Sequence, residues 1–577
     1  MTETFASLSG RQGAPRLRID GAGRRALETG RSRLAIGAGL FALAFLGLTG
    51  RLIEVGLFGA DQTRPAMAHA DIAAPLVQRA DIVDRNGVVL ATNLDMHALY
   101  ADSRLVDNPS ATTARLAEVL PGLNVEAVER GLASGSSFVW IHRGLTPRQV
   151  HAVNRLGEPG LDFLPAQRRF YPAGRLAAHV VGFSDVDSSG LAGIERQYDQ
   201  ALRANPTTPV KLSLDIRYQH VLRAELTKAV DEFRALGAAG VVLDVNTGEV
   251  LAMVSLPDFD PNQIVKASKA EPLFNRAVLG VYEMGSTFKA FTTAMALDAG
   301  TVSLTDGYDA SKPLRVSRFT IRDYHAQNRW LSVPEIFMHS SNIGAAKMAL
   351  DVGAEGQRAF LKRLGLLSPS RIELPEVGAP LPPPQWKDVN VATVGFGHGI
   401  AVSPLQLASG IAALVNSGEL IASTLITRAG EEPAVGARVI KAETSYRMRQ
   451  LLRLVVERGT GRKADAIGYP VGGKTGTAEK IGAKGYDRKR LLSSFVGVFP
   501  IHEPRFVVLA VLDEPKGHKG THNRATGGWT AAPVVGRVIA RIGPMAGLEP
   551  VEPPDTDAAS TPLLITPDGT EIRLASF

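Results

Sequence analysis

The chain has 577 residues, no cysteine and a formal net charge of +7. The absence of cysteine excludes a thiol nucleophile, a disulfide framework and any cysteine-ligated zinc or iron–sulfur site. Residues 1–33 hold seven arginines against three acidic residues, so more than half of the net charge lies in this one segment. The remaining chain is nearly balanced in charge, which argues against a nucleic-acid-binding surface. Its length predicts two or three domains.

An apolar stretch follows the basic segment. Residues 34–50 contain no charged side chain, and apolar residues continue beyond Arg51. Such a stretch can span a bilayer if Arg51 extends to the interface, so residues 34–56 are predicted to be an uncleaved transmembrane anchor. A cleaved signal peptide and a buried soluble helix are the alternatives. The preceding arginines predict a cytoplasmic tail at residues 1–33, with everything after the anchor outside the inner membrane.

Residues 57–210 show no catalytic constellation and are predicted to form a non-catalytic stalk of helices and strands. Within this stalk, residues 81–91 place short apolar runs on either side of an Asn-Gly pair, which predicts two strands joined by a tight turn.

A second domain is predicted over residues 211–545. Asp215 is placed to cap a helix, and Gly237 is expected to end it. Two apolar runs separated by a turn follow within residues 240–255 and predict a hairpin. Residues 546–577 are rich in proline and acidic side chains and are predicted to be a C-terminal tail.

The second domain carries a serine and a lysine three residues apart, Ser286 and Lys289. On a helix these positions share a face, so the amine can accept the hydroxyl proton and activate the serine as a nucleophile. Gly285 permits a sharp entry into that helix. The free N–H groups of its first turn suit an oxyanion.

Two further motifs follow along the chain. Ser340-Ser341-Asn342 precedes an apolar helical run, and Lys474-Thr475-Gly476-Thr477 precedes a predicted strand at residues 492–499. Each motif alone also fits a structural role: the Ser-x-x-Lys pair as a chance match, the second as a helix cap and the third as a turn. The order and spacing of all three together are specific.

Together these motifs resemble those of penicillin-binding proteins, serine D,D-transpeptidases of the penicillin-recognising acyl-transferase superfamily. The stalk motifs RADIVDRNG, RRFYPAG and GIERQYD, with a single anchor, resemble class B, and the runs SSNIG and FGHGIAVSPLQL resemble its division-specific branch. The resemblance covers residues 79–545. It implies an α+β multidomain fold, with one transmembrane helix, a mixed α/β stalk or dimerisation domain, and a transpeptidase domain whose central antiparallel sheet is flanked by helices.

The resemblance also implies the reaction. Ser286 would attack the penultimate D-alanine carbonyl of a peptidoglycan stem peptide, release the last D-alanine and pass the acyl group to an amine of a neighbouring stem. Lys289 can act as the base only when neutral, so its pKa must be lowered by burial and by the charge of Lys474. β-Lactams would mimic the peptide end and trap the serine.

The other site residues take their roles from the same resemblance. Ser340 would relay a proton to the leaving amine, and Asn342 would hold the substrate amide. The terminal carboxylate would be bound by a strand motif (Lys474, Thr475, Gly476 and Thr477). The backbone N–H groups of Ser286 and Thr477 would form the oxyanion hole. No metal and no cofactor are expected; His518 and His522 lie in a glycine-rich loop, and His398 is interpreted as structural.

Several alternatives stay open at this point. The chain could be a non-catalytic divisome scaffold, or a D,D-carboxypeptidase or β-lactam-hydrolysing relative with water as the acceptor. By resemblance the partners are the inner membrane, a lipid-II polymerase of the FtsW type and other divisome proteins at the division septum. A mobile loop is expected over residues 480–491.

Overall fold

The computed structural model describes residues 35–50, 78–266, 270–430, 432, 434–482, 485–551, 563–565 and 571–575. Residues 1–75 form one unit and residues 76–577 a second, compact unit. In the first unit, residues 35–50 form a helix, α1, with exposed apolar side chains such as Phe41 and Phe45. None of the helices in these described ranges is both long and apolar enough to cross a membrane. The basic segment, and residue 34 and residues 51–56 of the predicted anchor, lie outside the described residues.

The N-terminal part of the compact unit is built from short helices around a five-stranded sheet, in which β2 pairs with β1, β3 and β4, and β1 also pairs with β7. Its strands are β1 Ile82–Val83, β2 Val89–Ala101, β3 Val139–Leu145, β4 Leu161–Phe170, β5 Phe183–Ser184, β6 Gly190–Ala192 and β7 Val210–Lys211. Its helices are α2 Pro109–Val119, α3 Val125–Leu132, α4 Pro147–Asn154, α5 Ala178–Val181, α6 Gly193–Gln197 and α7 Asp199–Ala204. The strands predicted around the Asn-Gly pair are confirmed as β1 and the start of β2.

A buried ion cluster explains the charged residues of the stalk motifs. Glu195 is fully buried and accepts bonds from Arg79 Nη2 and Arg169 Nε, each at 2.6 Å. A buried carboxylate requires such partners, because an unpaired charge in the interior is costly. The three motifs therefore lie together in the fold as a structural element.

The larger part contains the sheet that supports the site. Its helices are α8 Ile216–Phe233, α9 Lys289–Ala299, α10 Val333–His339, α11 Asn342–Arg363, α12 Asp388–Val394, α13 Pro404–Val415, α14 Ala442–Glu457 and α15 Ala531–Met545. Its strands are β8 Gly237–Asp244, β9 Val250–Leu256, β10 Gly307–Asp309, β11 Leu314–Val316, β12 Phe319–Ile321, β13 Trp330–Ser332, β14 Glu419–Leu420, β15 Ala437–Arg438, β16 Gly472–Gly482, β17 Gly485–Phe499, β18 Phe506–Asp513, β19 Leu563–Ile565 and β20 Glu571–Arg573.

Five of these strands form one antiparallel sheet in the order β16-β17-β18-β8-β9. Helices cover both faces, so β18 is apolar along almost its whole length. Its residues alternate between two cores: Val508 packs in the core that includes α8 and α15, and Leu509 packs in the core that includes α9 and α13. The predicted antiparallel sheet flanked by helices is confirmed.

Two details differ from the sequence expectations. The helix capped by Asp215 ends at Arg234, which adopts the left-handed conformation with φ 48°, and Gly237 instead begins β8. The polar segment 480–491 is expected to be a loop, but its described residues extend strands β16 and β17, with Gly482 opposite Gly485. The polar composition of this segment favours a loop, but backbone pairing between the two strands forms nevertheless.

Most of the predicted C-terminal tail lies outside the described residues, but its last described residues contact the body. Leu574 is buried in the larger core, and Gln450 Nε2 donates to the carbonyl of Ala575 at 2.8 Å. These contacts place residues 571–575 against α14.

Candidate active site

The nucleophile motif forms a 3₁₀ turn, Gly285–Phe288, that leads directly into α9 at Lys289. Gly285 has φ +54°, and a Cβ on it would lie 2.5 Å from the carbonyl oxygen of Thr477. Glycine is therefore required both by the backbone conformation and by the close approach of β16. Phe288 is buried in the core, whereas Ser286 faces a cleft.

Lys289 is the centre of the site. Its side chain is buried, and its Nζ lies 3.0 Å from Ser286 Oγ and 3.0 Å from Ser340 Oγ. The same nitrogen donates to the carbonyl of Ser340 at 2.6 Å and to Asn342 Oδ1 at 2.7 Å. Asn342 Nδ2 in turn donates to the carbonyl of Arg322 at 3.0 Å, which fixes the orientation of the amide.

These contacts match a neutral amine. Burial, together with the positive charge of Lys474, lowers the pKa of Lys289 well below its ordinary value, against an opposing effect of Asp323. A neutral amine has two N–H bonds and one lone pair. The two carbonyl oxygens, of Ser340 and Asn342, accept the two N–H bonds, because a carbonyl oxygen cannot donate. The lone pair is then left for a hydroxyl proton.

The second motif is positioned by the junction of two helices. Ser340 ends α10 in the left-handed conformation, with φ 60° and ψ 44°, and Ser341 caps α11 by accepting from the N–H of Gly344 at 3.0 Å. Ser341 Oγ also donates to Asp323 Oδ2 at 2.7 Å, and Asp323 Oδ1 accepts from the N–H of Ile343 at 2.9 Å. Ser341 is therefore structural, and the tight junction turns Ser340 and Asn342 towards Lys289.

Lys474 approaches the same cluster from the sheet. It is fully buried, and its Nζ lies 3.0 Å from Ser340 Oγ and 5.8 Å from the ring centroid of Phe337. Burial lowers the pKa of Lys474 to about 7. Ser340 Oγ therefore lies between two amines, which can pass a proton through it.

The rest of the third motif lies along β16, beside the nucleophile turn. A Cβ on Gly476 would lie 2.2 Å from Ser494 Oγ and 2.5 Å from the carbonyl oxygen of Met284, so only glycine fits. Thr475 Oγ1 lies 2.7 Å from Thr460 Oγ1, and Thr477 Oγ1 accepts from the N–H of Gly527 at 3.1 Å. Thr475 and Thr477 both line the cleft.

A carboxylate braces the nucleophile turn from the other side. Glu283 Oε1 accepts from the N–H of Gly399 at 2.8 Å and from Tyr486 Oη at 3.0 Å. The N–H of Gly285 donates to the carbonyl of Gly397 at 3.2 Å. Burial raises the pKa of Glu283 above its ordinary value. Hydrogen bonds thereby connect the turn at Gly397–Gly399, and the β16–β17 hairpin, to the residues just before Ser286.

His398 belongs to the turn at Gly397–Gly399 and faces Tyr486 of the hairpin. Its ring is 5.4 Å from the ring of Tyr486, and it lines the cleft. Burial and the nearby Lys289 lower the pKa of His398 to about 4, so the imidazole is neutral at pH 7. Its Nδ1 atom is buried and has no hydrogen-bond partner within the described part of the chain.

The cleft in front of Ser286 has a volume of about 1010 Å³. Its lining includes most of the predicted side chains (Ser286, Ser340, Asn342, Thr475 and Thr477). It also includes residues that the motifs did not indicate, namely Arg322, Asp323, Thr460, Lys463, Arg524 and Trp529. Over the described part of the chain, no group of three or more histidine and acidic side chains is placed to hold a metal ion.

The structure therefore brings all five predicted catalytic residues into one cluster and places the three predicted substrate-binding residues on the adjoining strand. Sequence reasoning missed Asp323, which orders the second motif, and Glu283, which braces the first. Glu283 is adjacent to the nucleophile motif, and this was the only available signal for it. Asp323 lies in a polar loop with no pattern that separates it from other acidic residues.

Comparison with known proteins agrees with this geometry. Residues 238–540 match the penicillin binding protein transpeptidase domain, and residues 75–208 match the penicillin-binding protein dimerisation domain. The probable peptidoglycan D,D-transpeptidase FtsI of Caulobacter vibrioides is 43% identical over 483 residues, which is 82% of each chain. The probable peptidoglycan D,D-transpeptidase PenA of Neisseria meningitidis is 33% identical, covering 84% of this chain and 87% of that protein.

Solved structures agree as well. Penicillin binding protein 3 from Mycobacterium tuberculosis, complexed with aztreonam, superimposes with a TM-score of 0.65 at 26% identity, covering 83% of this chain and 98% of that chain. Its ampicillin complex gives a TM-score of 0.66. Fold and site thus define a penicillin-recognising serine acyl-transferase.

The chain belongs to the class B penicillin-binding proteins. It is a peptidoglycan D,D-transpeptidase, a serine-type enzyme that binds β-lactams and cross-links stem peptides in cell-wall synthesis and cell division.

Proposed function

We propose that Ser286 is the acylated nucleophile of this transpeptidase and that Lys289 is its base. The observation that supports this most directly is the pattern of contacts at Lys289 Nζ. Two carbonyl oxygens accept its N–H bonds, which leaves its lone pair for the hydroxyl of Ser286, whose Oγ lies 3.0 Å from Nζ. That distance is within the reach expected for a general base and its nucleophile.

In the acylation step, Ser286 Oγ attacks the penultimate D-alanine carbonyl carbon, and its proton passes to Lys289 Nζ. The carbonyl π electrons move onto oxygen, where the backbone N–H groups of Ser286 and Thr477 stabilise the charge. When the C–N bond breaks, the leaving amine of the last D-alanine takes a proton through Ser340 Oγ. This hydroxyl is 3.0 Å from both Lys289 Nζ and Lys474 Nζ. The product is an ester on Ser286.

The substrate's terminal carboxylate is bound by Lys474, Thr475 and Thr477. Thr475 and Thr477 line the cleft and carry hydroxyls that can donate to a carboxylate, and the buried Lys474 supplies a positive charge when protonated. Asn342 uses its carbonyl for Lys289, so any contact with the substrate amide involves Nδ2, which also donates to Arg322.

In the second step an amine of a neighbouring stem peptide attacks the ester. Its proton passes to Lys289, the C–O bond to Ser286 breaks, and the serine hydroxyl is restored with a proton from Lys289. The product is a cross-link, and protons balance over the cycle. β-Lactams follow the first step only, because the opened ring remains attached.

We further propose that the enzyme works at the division septum, anchored in the inner membrane by residues 34–56. Residues 57–210 would serve as the pedestal, residues 211–545 as the catalytic domain and residues 546–577 as a C-terminal tail. The exposed apolar helix at residues 35–50 supports the anchor. A lipid-II polymerase of the FtsW type is the partner that the resemblance indicates for anchor and pedestal.

A reconstituted cross-linking assay tests the proposal. The full-length chain is mixed with a lipid-II polymerase and lipid II, and cross-linked dimers and released D-alanine are both quantified. The wild type should form both, whereas Ser286→Ala should form neither. Released D-alanine without dimers would instead favour a carboxypeptidase, and dimers from Ser286→Ala would refute the assignment of the nucleophile.

A further inference from the structure

The lining of the active-site cleft carries an excess of positive charge. Five cationic side chains line the cleft (Arg322, Arg462, Lys463, Arg488 and Arg524), against two carboxylates. Both carboxylates are already engaged. Asp323 is bound to Ser341 and to the start of α11, and Glu479 lies 3.8 Å from Arg488. The remaining four cations have no carboxylate partner among the residues that the structure describes.

Two of these cations are held by one aromatic ring. Lys463 Nζ lies 4.5 Å from the ring centroid of Trp529, and the Cζ atom of Arg524 lies 5.5 Å from it. Trp529 itself lines the cleft. A cation over an indole face is attracted to it, which limits the freedom of these two long side chains and keeps both charges near the cleft.

Contacts connect Lys463 and Trp529 to the strand of the third motif. Thr460, three residues before Lys463, has its hydroxyl 2.7 Å from the hydroxyl of Thr475. A Cβ on Gly528 would lie 2.6 Å from the carbonyl oxygen of Thr460, so the loop bearing Trp529 packs directly on the same segment. Lys463 and Trp529 therefore lie on segments that adjoin the place where the terminal carboxylate of the substrate is proposed to bind.

We propose that Lys463, Arg524 and Trp529 form an accessory subsite that captures carboxylate-bearing ligands before acylation and favours ligands with two carboxylates over those with one. The proposal rests on the proposed function of Ser286. Unpaired cations lining a cleft with low-dielectric walls raise the local concentration of anions. The attraction grows with ligand charge and falls with added salt.

The test compares benzylpenicillin, which has one carboxylate, with carbenicillin, which adds a second carboxylate to the same scaffold. The second-order rate constant of acylation is measured for the wild type and for Lys463→Gln/Arg524→Gln. At low salt the double substitution should slow benzylpenicillin about threefold and carbenicillin about tenfold. At about 0.5 M salt, both differences should nearly disappear.

A matched control removes the same two charges elsewhere. Lys362→Gln/Arg363→Gln changes one exposed lysine and one exposed arginine at the end of α11, outside the cleft lining. This control should acylate like the wild type with both drugs. Equal slowing of the two drugs by the cleft variant, a loss independent of salt, or the same loss in the control would overturn the proposal.

Non-covalent binding separates this inference from the proposed nucleophile. In a Ser286→Ala background the dissociation constants of both drugs are measured by calorimetry, with and without the Lys463 and Arg524 substitutions. Weaker binding, about tenfold for carbenicillin and about threefold for benzylpenicillin, supports the subsite even if acylation were to occur elsewhere. Unchanged dissociation constants refute the subsite and leave the role of Ser286 untouched.

Discussion

Lys289 and Lys474 approach the same hydroxyl, Ser340 Oγ, each at 3.0 Å. Two buried amines this close cannot both carry a proton without a large cost, because like charges in a low-dielectric site repel. Lys289 is therefore the amine that stays neutral, while Lys474, with its pKa lowered to about 7, exchanges a proton near neutral pH. Two lysines therefore have different roles: Lys289 acts as the base, and Lys474 carries the positive charge.

The first prediction concerns stability against pH. Burial lowers the pKa of Lys474 to about 7 in the folded chain, below the ordinary lysine value of 10.5 that applies when the chain is unfolded. Between these pH values the unfolded state binds more protons, so the stability of the wild type should rise with pH. Lys474→Met lacks the contribution of Lys474 to this dependence. Its melting temperature should exceed that of the wild type most below pH 7, and the difference should shrink as the pH rises.

Differential scanning fluorimetry of both chains over this pH range provides the measurement. Ser286→Ala serves as the control, since it should follow the pH dependence of the wild type. A difference in melting temperature that is constant with pH would show that Lys474 does not titrate in the folded protein near neutrality.

The second prediction uses charge beside the base. Asn342→Asp would place a carboxylate about where Oδ1 lies, 2.7 Å from Lys289 Nζ. An adjacent negative charge raises the pKa of an amine by about 1–3 units. The neutral fraction of Lys289 therefore falls. In a plot of acylation rate against pH, the acidic limb should move to higher pH. Part of the activity should return in alkaline buffer.

Asn342→Ala provides the matched control because it removes the same hydrogen bond without adding charge. It should lower acylation by benzylpenicillin at every pH and leave the position of the limb unchanged. If both variants gave profiles with the same midpoint, Lys289 would not be the group that titrates.

The third prediction concerns the brace on the nucleophile turn. Glu283→Ala removes the acceptor shared by the N–H of Gly399 and by Tyr486 Oη, and it should destabilise the fold by about 1–3 kcal/mol. Acylation should fall about tenfold, because small displacements of a nucleophile are costly. Glu283→Gln keeps an oxygen acceptor and should stay within about threefold of the wild type.

Stopped-flow acylation and thermal unfolding of the two variants measure these effects. If Glu283→Gln were as impaired as Glu283→Ala, the charge of Glu283 would matter rather than its two hydrogen bonds.

The fourth prediction tests how closely β16 must approach Ser286. Gly476→Ala would set a Cβ 2.5 Å from the carbonyl oxygen of Met284 and should push the strand away from the turn, reducing acylation by at least about a hundredfold. Gly482→Ala, on the same strand, has its nearest neighbour at 3.5 Å and should acylate normally. Comparable losses in both would indicate a general effect of alanine on this strand.

Much of this site could be predicted from the sequence because its chemistry depends on local patterns. Ser286 and Lys289 are joined by one turn, and the glycines beside them are dictated by backbone geometry. The helix capped by Asp215 and the hairpin after it also follow from local signals. These features depend on residues close together in the sequence, so they can be predicted from a single sequence.

The remaining parts depend on tertiary contacts. Asp323 reaches the second motif through a loop, and Trp529 reaches the cleft from a segment more than fifty residues beyond Lys474. Neither residue lies in a periodic or spaced pattern. The polar composition of residues 480–491 predicts a loop, but backbone pairing such as that of Lys480 with Asp487 extends the two strands into this segment.

The most direct test of the central claim is peptide mass spectrometry of the full-length chain after brief exposure to benzylpenicillin. The account predicts a gain equal to the intact drug on the peptide that contains Ser286, absent in Ser286→Ala. It also predicts slow labelling of Lys289→Arg, because the guanidinium stays charged and cannot accept the hydroxyl proton. Modification at another residue, or labelling that persists in Ser286→Ala, would contradict it.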